Sequence, residues 1–169
     1  MRVDTSDDDT LIGDYVSAAT AWCQNFTERQ FINATWKYRL DKWPTDIVIP
    51  ISPLSSVTSI QYIDADGATQ TLSSSEYTVD TAIEPGRIVL AYGKDWPNLQ
   101  EVIQAVIVTF VAGYGSAGSD VPQSIRTAVR ILTAHWYEIR EPIVTGTIVA
   151  KVPMSIESIL WQYRTVEFS

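Results

Sequence analysis

The sequence predicts an α+β fold: a small α-helical bundle, made from the N-terminal helix and the C-terminal helices, carries an inserted β-rich domain. Three observations predict it. Residues 7–26 set Leu11, Ile12, Tyr15, Val16, Ala19, Trp22, Cys23 and Phe26 on one helical stripe. Residues 34–112 change to short alternating runs separated by turn residues. From Asp120 the helical period returns.

Each element has its own reason. Asp7, Asp8 and Asp9 stand where carboxylates cap free N–H groups and meet the positive end of a helix dipole. The strand candidates are "ATWKYRLDKW", "DIVIPI", "SVTSIQYID", "ATQTL", "EYTVD", "GRIVLAYG" and "VIQAVIVTFVAGYG". Asp66-Gly67 between the third and fourth reads as a hairpin turn, since glycine tolerates the positive φ required there. "DADG" also opens like a calcium loop, but the later oxygen ligands and the closing bidentate Glu are missing. The second helix is expected to start with Asp120 as cap and Pro122 in its first turn. Its stripe is Ile125, Ala128, Val129, Leu132 and Trp136, and Glu141-Pro142 ends it. "IVTGTIVAKVP" is a loop with strand character, and "MSIESILWQYR" a short last helix with Ser155 as its expected cap.

An isolated N-terminal helix cannot bury its stripe alone. It is expected to pack on the helix at 122–139, with Leu11, Tyr15, Trp22, Phe26, Val129, Leu132 and Trp136 as the core. The expected organisation is one domain over 1–169. A bundle of 7–32 and 120–165 carries an insertion at about 34–112, and an interface loop spans 141–154.

Composition narrows the function. The net charge of −8 argues against gripping nucleic-acid phosphates, which needs basic neutralisation, and leaves open a protein past which DNA slides without sticking. Six tryptophans and eight tyrosines favour large buried or interfacial contacts. A single cysteine, Cys23, leaves no disulfide framework and no Cys-rich zinc site; it falls at an apolar helical position and reads as core. "MRVDTSDDDT" is acidic where a signal peptide is apolar, and no run reaches the length of a membrane span. The expectation is a protein of the cytoplasm, or of a particle assembled there, with no membrane partner. Asn25-Phe26-Thr27 is then a chance match to a glycosylation acceptor.

Catalytic raw material is scarce. A Ser–His–Asp triad would have to use His135, the only histidine, and no "GxSxG" elbow presents a serine. His135 and Glu138 at i, i+3 are two ligands, too few for a metal, and no second cluster completes them. His135 flanks the buried stripe and is expected to be structural, its ring hydrogen-bonded to neighbours. "GYGSAGSD" precedes a helix but lacks the Lys-Ser/Thr ending of a P-loop and the GxGxxG spacing. Carboxylate pairs are available, yet none is marked out. The expectation is no enzyme, no cofactor and no metal site.

Ordered motifs then point to a family. "VTFVAGYGSAGSDVPQSIRTAVRILTAHWYEIRE" resembles the signature of the head–tail connector (adaptor) proteins of long-tailed bacteriophages. There, a strand ends in F-x-A-GYG, "DVP" opens a helix and "HWYE-x-RE" closes it. "LIGDYVSAATAWCQNFTERQFI" resembles the family's first helix and its "TGRQL"-like exit, "TWKYRLDKWP" the first strand, and "IPISPLSSVTSIQYIDADG" and "EPGRIVLAYGKDWP" later ones. The resemblance runs from about Asp7 to Phe168. Glu28 stands where the family often has glycine, which argues against a left-handed helix exit there.

The resemblance implies an assembly role in the virion: a ring of about a dozen subunits under the portal that extends the DNA channel. The portal, further copies of the chain, and head completion or tail-terminator proteins are the implied partners, and DNA passes without sequence-specific binding. "HWYEIREPIVTG" then reads as a packing helix leading into an interface loop. In it Ile143, Val144, Thr145, Gly146, Thr147, Ile148, Val149 and Lys151 are expected to meet a neighbour. The competing reading is a β-rich module whose Trp and Tyr residues hold a carbohydrate or peptide.

Overall fold

The computed structural model describes residues 8–139 and 153–165. They form three helices, α1 (Asp9–Thr27), α2 (Gln123–Ile139) and α3 (Met154–Trp161). The strands are β1 (Ala34–Leu40), β2 (Ile47–Val48), β3 (Leu54–Ile63), β4 (Thr69–Thr71), β5 (Tyr77–Asp80), β6 (Arg87–Leu90) and β7 (Val106–Ala112). The fold is α+β, as the sequence predicts. The chain divides into a helical unit of residues 1–28 with 121–169 and a β unit of residues 29–120.

In the helical unit α2 packs on both α1 and α3. α1 buries Ala19, Cys23 and Thr27, α2 buries Ile125, Ala128, Leu132 and Thr133, and α3 buries Ile156 and Leu160. Of the expected core residues Leu132 is buried, while Tyr15, Trp22, Phe26, Val129 and Trp136 are half-buried. Leu11 is a correction: it is 39% exposed. Each four-residue step along a helix turns about 40° past a full circle, so Leu11 is rotated roughly 120° from Cys23.

The helix ends differ from expectation in four places. Asp8 caps α1 without a side-chain bond to the helix; its carboxylate accepts the Tyr137 hydroxyl at 2.5 Å. Glu28 is left-handed (φ 57, ψ 35) although it is not glycine, and its N–H satisfies the Gln24 carbonyl. The Thr165 N–H satisfies the Thr27 carbonyl beside it, so the exit leaves neither of these acceptors orphaned. Asp120 does not cap α2: it ends the 3₁₀ turn Gly118–Asp120, where its carboxylate accepts the Ala117 N–H at 2.9 Å. Ser155 is inside α3, whose N-cap is Pro153.

The β unit holds two antiparallel sheets, ordered β1-β7-β3-β4 and β2-β6-β5. β7 alternates strictly, with Val106, Val108, Phe110 and Ala112 buried. Its register sets Leu40, Tyr38 and Trp36 of β1 opposite Val106, Val108 and Phe110, so these share one face. Ile47 and Ile49, Ile88, Leu54, Ile60 and Leu72 complete one core supplied by both sheets. The "DIVIPI" run pairs with β6 at Ile47 and Val48, and the Ile49 N–H adds one bond to the Gly86 carbonyl at 2.8 Å.

The Asp66-Gly67 hairpin forms, with Gly67 at φ 84. Asp64 Oδ1 accepts the N–H groups of Asp66 (3.1 Å) and Ala68 (2.8 Å), and Oδ2 accepts Gln70 Nε2 (2.8 Å). The carboxylate oxygens of "DADG" that hold this turn are therefore the ones a calcium reading would have used.

The segments leading into and out of the β unit are tied to each other. The Tyr114 N–H bonds the Phe31 carbonyl at 3.1 Å and the Asn33 N–H bonds the Gly115 carbonyl at 2.8 Å, a parallel bridge centred on Ile32 and Gly115. Gly113, at φ 140, makes this approach possible: a Cβ there would lie 2.5 Å from the Asn33 nitrogen. Arg29, its side chain 9% exposed, donates to both carboxylate oxygens of Glu84 and to the Tyr114 hydroxyl at 3.1 Å.

Candidate functional site

Among the described residues no group of three His, Cys, Asp or Glu side chains is placed to hold a metal ion. His135 is half-buried on α2, and its ring has no hydrogen-bond partner among the described residues, contrary to the expected tethering. Cys23 is fully buried, and loss of solvation pushes its thiol up to about 12, which removes it as a nucleophile near neutral pH. Among the described residues no helix is long and apolar enough to cross a membrane.

The aromatic residues that could form a ligand platform in the β unit face one another instead. Trp43 and Trp96 stack at 4.4 Å, Trp43 tilts on Tyr62 at 5.9 Å, and the Trp43 indole N–H bonds the Pro97 carbonyl at 2.9 Å. All three rings pack against the unit's core. The exposed apolar side chains lie elsewhere. In the helical unit Trp161 is 61% and Met154 83% exposed on α3, and Val16, Ile131 and Ile139 are exposed on α1 and α2. Phe26 stacks on Trp22 at 5.1 Å and tilts on Trp161, and the Arg164 guanidinium lies 5.1 Å from the Trp161 ring centre. In the β unit Ile103 (80% exposed) and Tyr92 protrude from loops. Apolar side chains this exposed are suited to contact with a macromolecule.

The expected interface residues Ile143, Val144, Thr145, Gly146, Thr147, Ile148, Val149 and Lys151 lie outside the described residues. The structure adds surface residues that the sequence reading did not single out. Lys37, Arg39 and Lys42 lie exposed on or just past β1, and Asp66 and Glu101 lie exposed at the other side of the same sheet. The alternation of "TWKYRLDK" carried the signal for the first two, which had to share a face; the sheet order that separates the charges did not appear in it.

The family model described as "Head completion protein" matches residues 1–166. The chain belongs to the head completion protein family. Its role is structural, in the virion at the junction of head and tail. Solved structures share the fold. A chain in "Neck of empty GTA particle computed with C6 symmetry" is 24% identical with a TM-score of 0.77, covering 100% of this chain and 84% of that one. A chain in "Neck of native GTA particle computed with C12 symmetry" is 22% identical with a TM-score of 0.75, covering 94% and 84%. One in "Virion of native gene transfer agent (GTA) particle" is 23% identical with a TM-score of 0.76, covering 99% and 86%. No curated protein matches the chain in sequence.

Proposed function

We propose that this head completion protein is a ring subunit that binds beneath the portal, extends the DNA channel and offers its far face to later completion or tail proteins. The observation that carries the reading is the family match over residues 1–166. The likeness of the whole fold to chains from necks described with C6 and C12 symmetry supports a ring of about a dozen copies. An acidic chain, at −8, supports a channel through which DNA moves without being gripped. The protein carries out no reaction of its own in this reading; cofactors have no part in it.

Within the ring, the segment 143–153 is the proposed contact with a neighbouring subunit or the portal, because "IVTGTIVAKVP" is strongly apolar and β-branched for a stretch between two helices. Purified chain added to DNA-filled heads that carry the portal but lack this protein should appear as a ring at one vertex by electron cryomicroscopy. Heads that stay bare at saturating protein would sink the reading. Deleting residues 144–149 should leave the circular dichroism spectrum unchanged and abolish binding to those heads. Normal binding by the deletion variant would remove this segment from the interface and leave the ring reading standing.

A further inference from the structure

The cations of the β unit fall into two sets. Arg29 is held by Glu84, Arg87 by Asp46 and Asp80, and Lys94 by Glu76. No ion pair among the described residues holds Lys37, Arg39 or Lys42, and all three are exposed. Lys37 and Arg39 are on β1 and Lys42 lies two residues past its end. β1 is an edge strand, and among the described residues nothing pairs with its outer side. Because Tyr38 and Leu40 pack against the core, Lys37 and Arg39 stand on the opposite face of that edge. Asp41 is engaged, its carboxylate accepting the Gln104 N–H at 2.7 Å.

The opposite edge carries the opposite charge. β4 is the other outer strand, three exposed residues long, and the turn from Asp64 to Gly67 leads into it. Leu99 bridges Asp64, and the Gln100 side chain reaches Gly67, which brings Glu101 to the same corner as Asp66. Asp66 and Glu101 are exposed, and among the described residues no hydrogen bond or ion pair holds either carboxylate. Three strand spacings separate the two edges, roughly 14 Å. That exceeds the screening length of about 8 Å at physiological salt, so the two sets barely stabilise one another within a subunit.

Unlike charges on opposite edges of one sheet suit a head-to-tail contact between copies, one edge against the other; a two-fold contact of the β1 edge with itself would set these cations against their own kind. We propose that the β1 edge of one subunit docks on the β3–β4 corner of the next, with Lys37 and Arg39 facing Asp66 and Glu101. The proposal rests on the ring reading and specifies a contact within it. The free backbone groups of β1 give this edge a further means of attachment, by pairing with the neighbour's β4.

The test uses two full-length variants, K37E/R39E, acidic on both edges, and D66K/E101K, basic on both. Each should keep the wild-type melting curve and lose at least tenfold in ring formation on portal-bearing heads. A one-to-one mixture should recover rings, because an even-numbered ring can alternate the two. Wild-type rings should also form less readily as salt rises from about 0.15 to 1 M. Normal assembly of either variant alone overturns the proposal and leaves the ring reading intact. Loss in both variants without recovery in the mixture also overturns it, since the charges then meet something other than a second copy. Absence of wild-type rings defeats the ring reading itself. Should either quadruple-charge change unfold the chain, K37Q/R39Q and D66N/E101Q replace them, and each must then weaken assembly by a smaller factor for the proposal to stand.

Discussion

Phe110 and Ile60 in the β unit sit within a core of large aliphatic side chains supplied by two sheets, and the unit's ends are hydrogen-bonded to each other. The helical unit buries mostly small and medium side chains along α1 (Ala19, Cys23 and Thr27) and leaves Trp161, Met154, Val16 and Ile131 on helix surfaces. Both units keep buried polar atoms with no hydrogen-bond partner among the described residues, Trp136 Nε1 and Arg126 Nε in the helical unit and Ser52 Oγ and Trp96 Nε1 in the β unit, so these do not separate the two. Large, closed cores hold a fold together; helices with apolar outer faces are suited to being covered by a neighbour. The difference lies in the size of the buried side chains: large ones close the β unit, whereas small ones along α1 let the helices lie close and leave their larger apolar residues outside.

The largest effects should separate the two cores. Phe110→Ala should destabilise the β unit by about 3–5 kcal/mol and Leu132→Ala the helical unit by about 2–5 kcal/mol. Hydrogen exchange would show which amides lose protection: β3 and β7 for the first, α1 and α2 for the second. Equal loss in both units from either substitution would mean that they unfold as one body. Next in size, Glu84→Ala strips the nearly buried Arg29 of its carboxylate and should lower stability by about 1–3 kcal/mol in a denaturant titration. An unchanged midpoint would show that Tyr114 and the backbone suffice.

Cys23 probes the helical unit alone. Burial raises its thiol from 9.0 to about 12, so at pH 8 the folded chain should hold roughly a thousandfold less thiolate than the unfolded one. The sign follows from the raised value. The stabilisation is complete below the ordinary thiol range and fades only as pH climbs toward about 12. Alkylation should therefore be slow in native protein and fast in denaturant; rapid native labelling would show that the helices open readily.

The smallest effect concerns the hairpin. Gln70, then the Ala68 N–H, hold the Asp64 carboxyl below its usual value. Its contribution is therefore full above the ordinary aspartate value, about 3.9, and is lost as pH falls through the lowered one. Asp64→Asn should loosen the 64–68 turn in amide exchange and remove that acid dependence. A turn equally protected in both proteins would show that Gly67 alone sets it.

Much of the fold was legible because period-two runs and 3.6-residue stripes are written locally. "VIVTFVA" could be read as a strand with alternate burial, and Leu132 as core. What stayed hidden depends on distant partners. Leu11 belongs to the apolar residues of α1 but rotates off the buried line, Asp120 closes its own loop, and Glu28 is left-handed because nearby carbonyls are satisfied there. The assembly surfaces were half legible. "TWKYRLDK" announces Lys37 and Arg39 on one face, whereas only the order β1-β7-β3-β4 sets Asp66 and Glu101 across from them.

The bridge between residues 31–33 and 113–115 also has a mechanical meaning. The two segments run parallel, so tension applied at residue 28 and at residue 121 pulls them along their common axis in opposite senses. The Tyr114–Phe31 and Asn33–Gly115 bonds then share the load and must yield together, in shear, instead of peeling apart one by one. A subunit tugged through its helices would pass that force across this clasp while the sheets behind it stay unstretched.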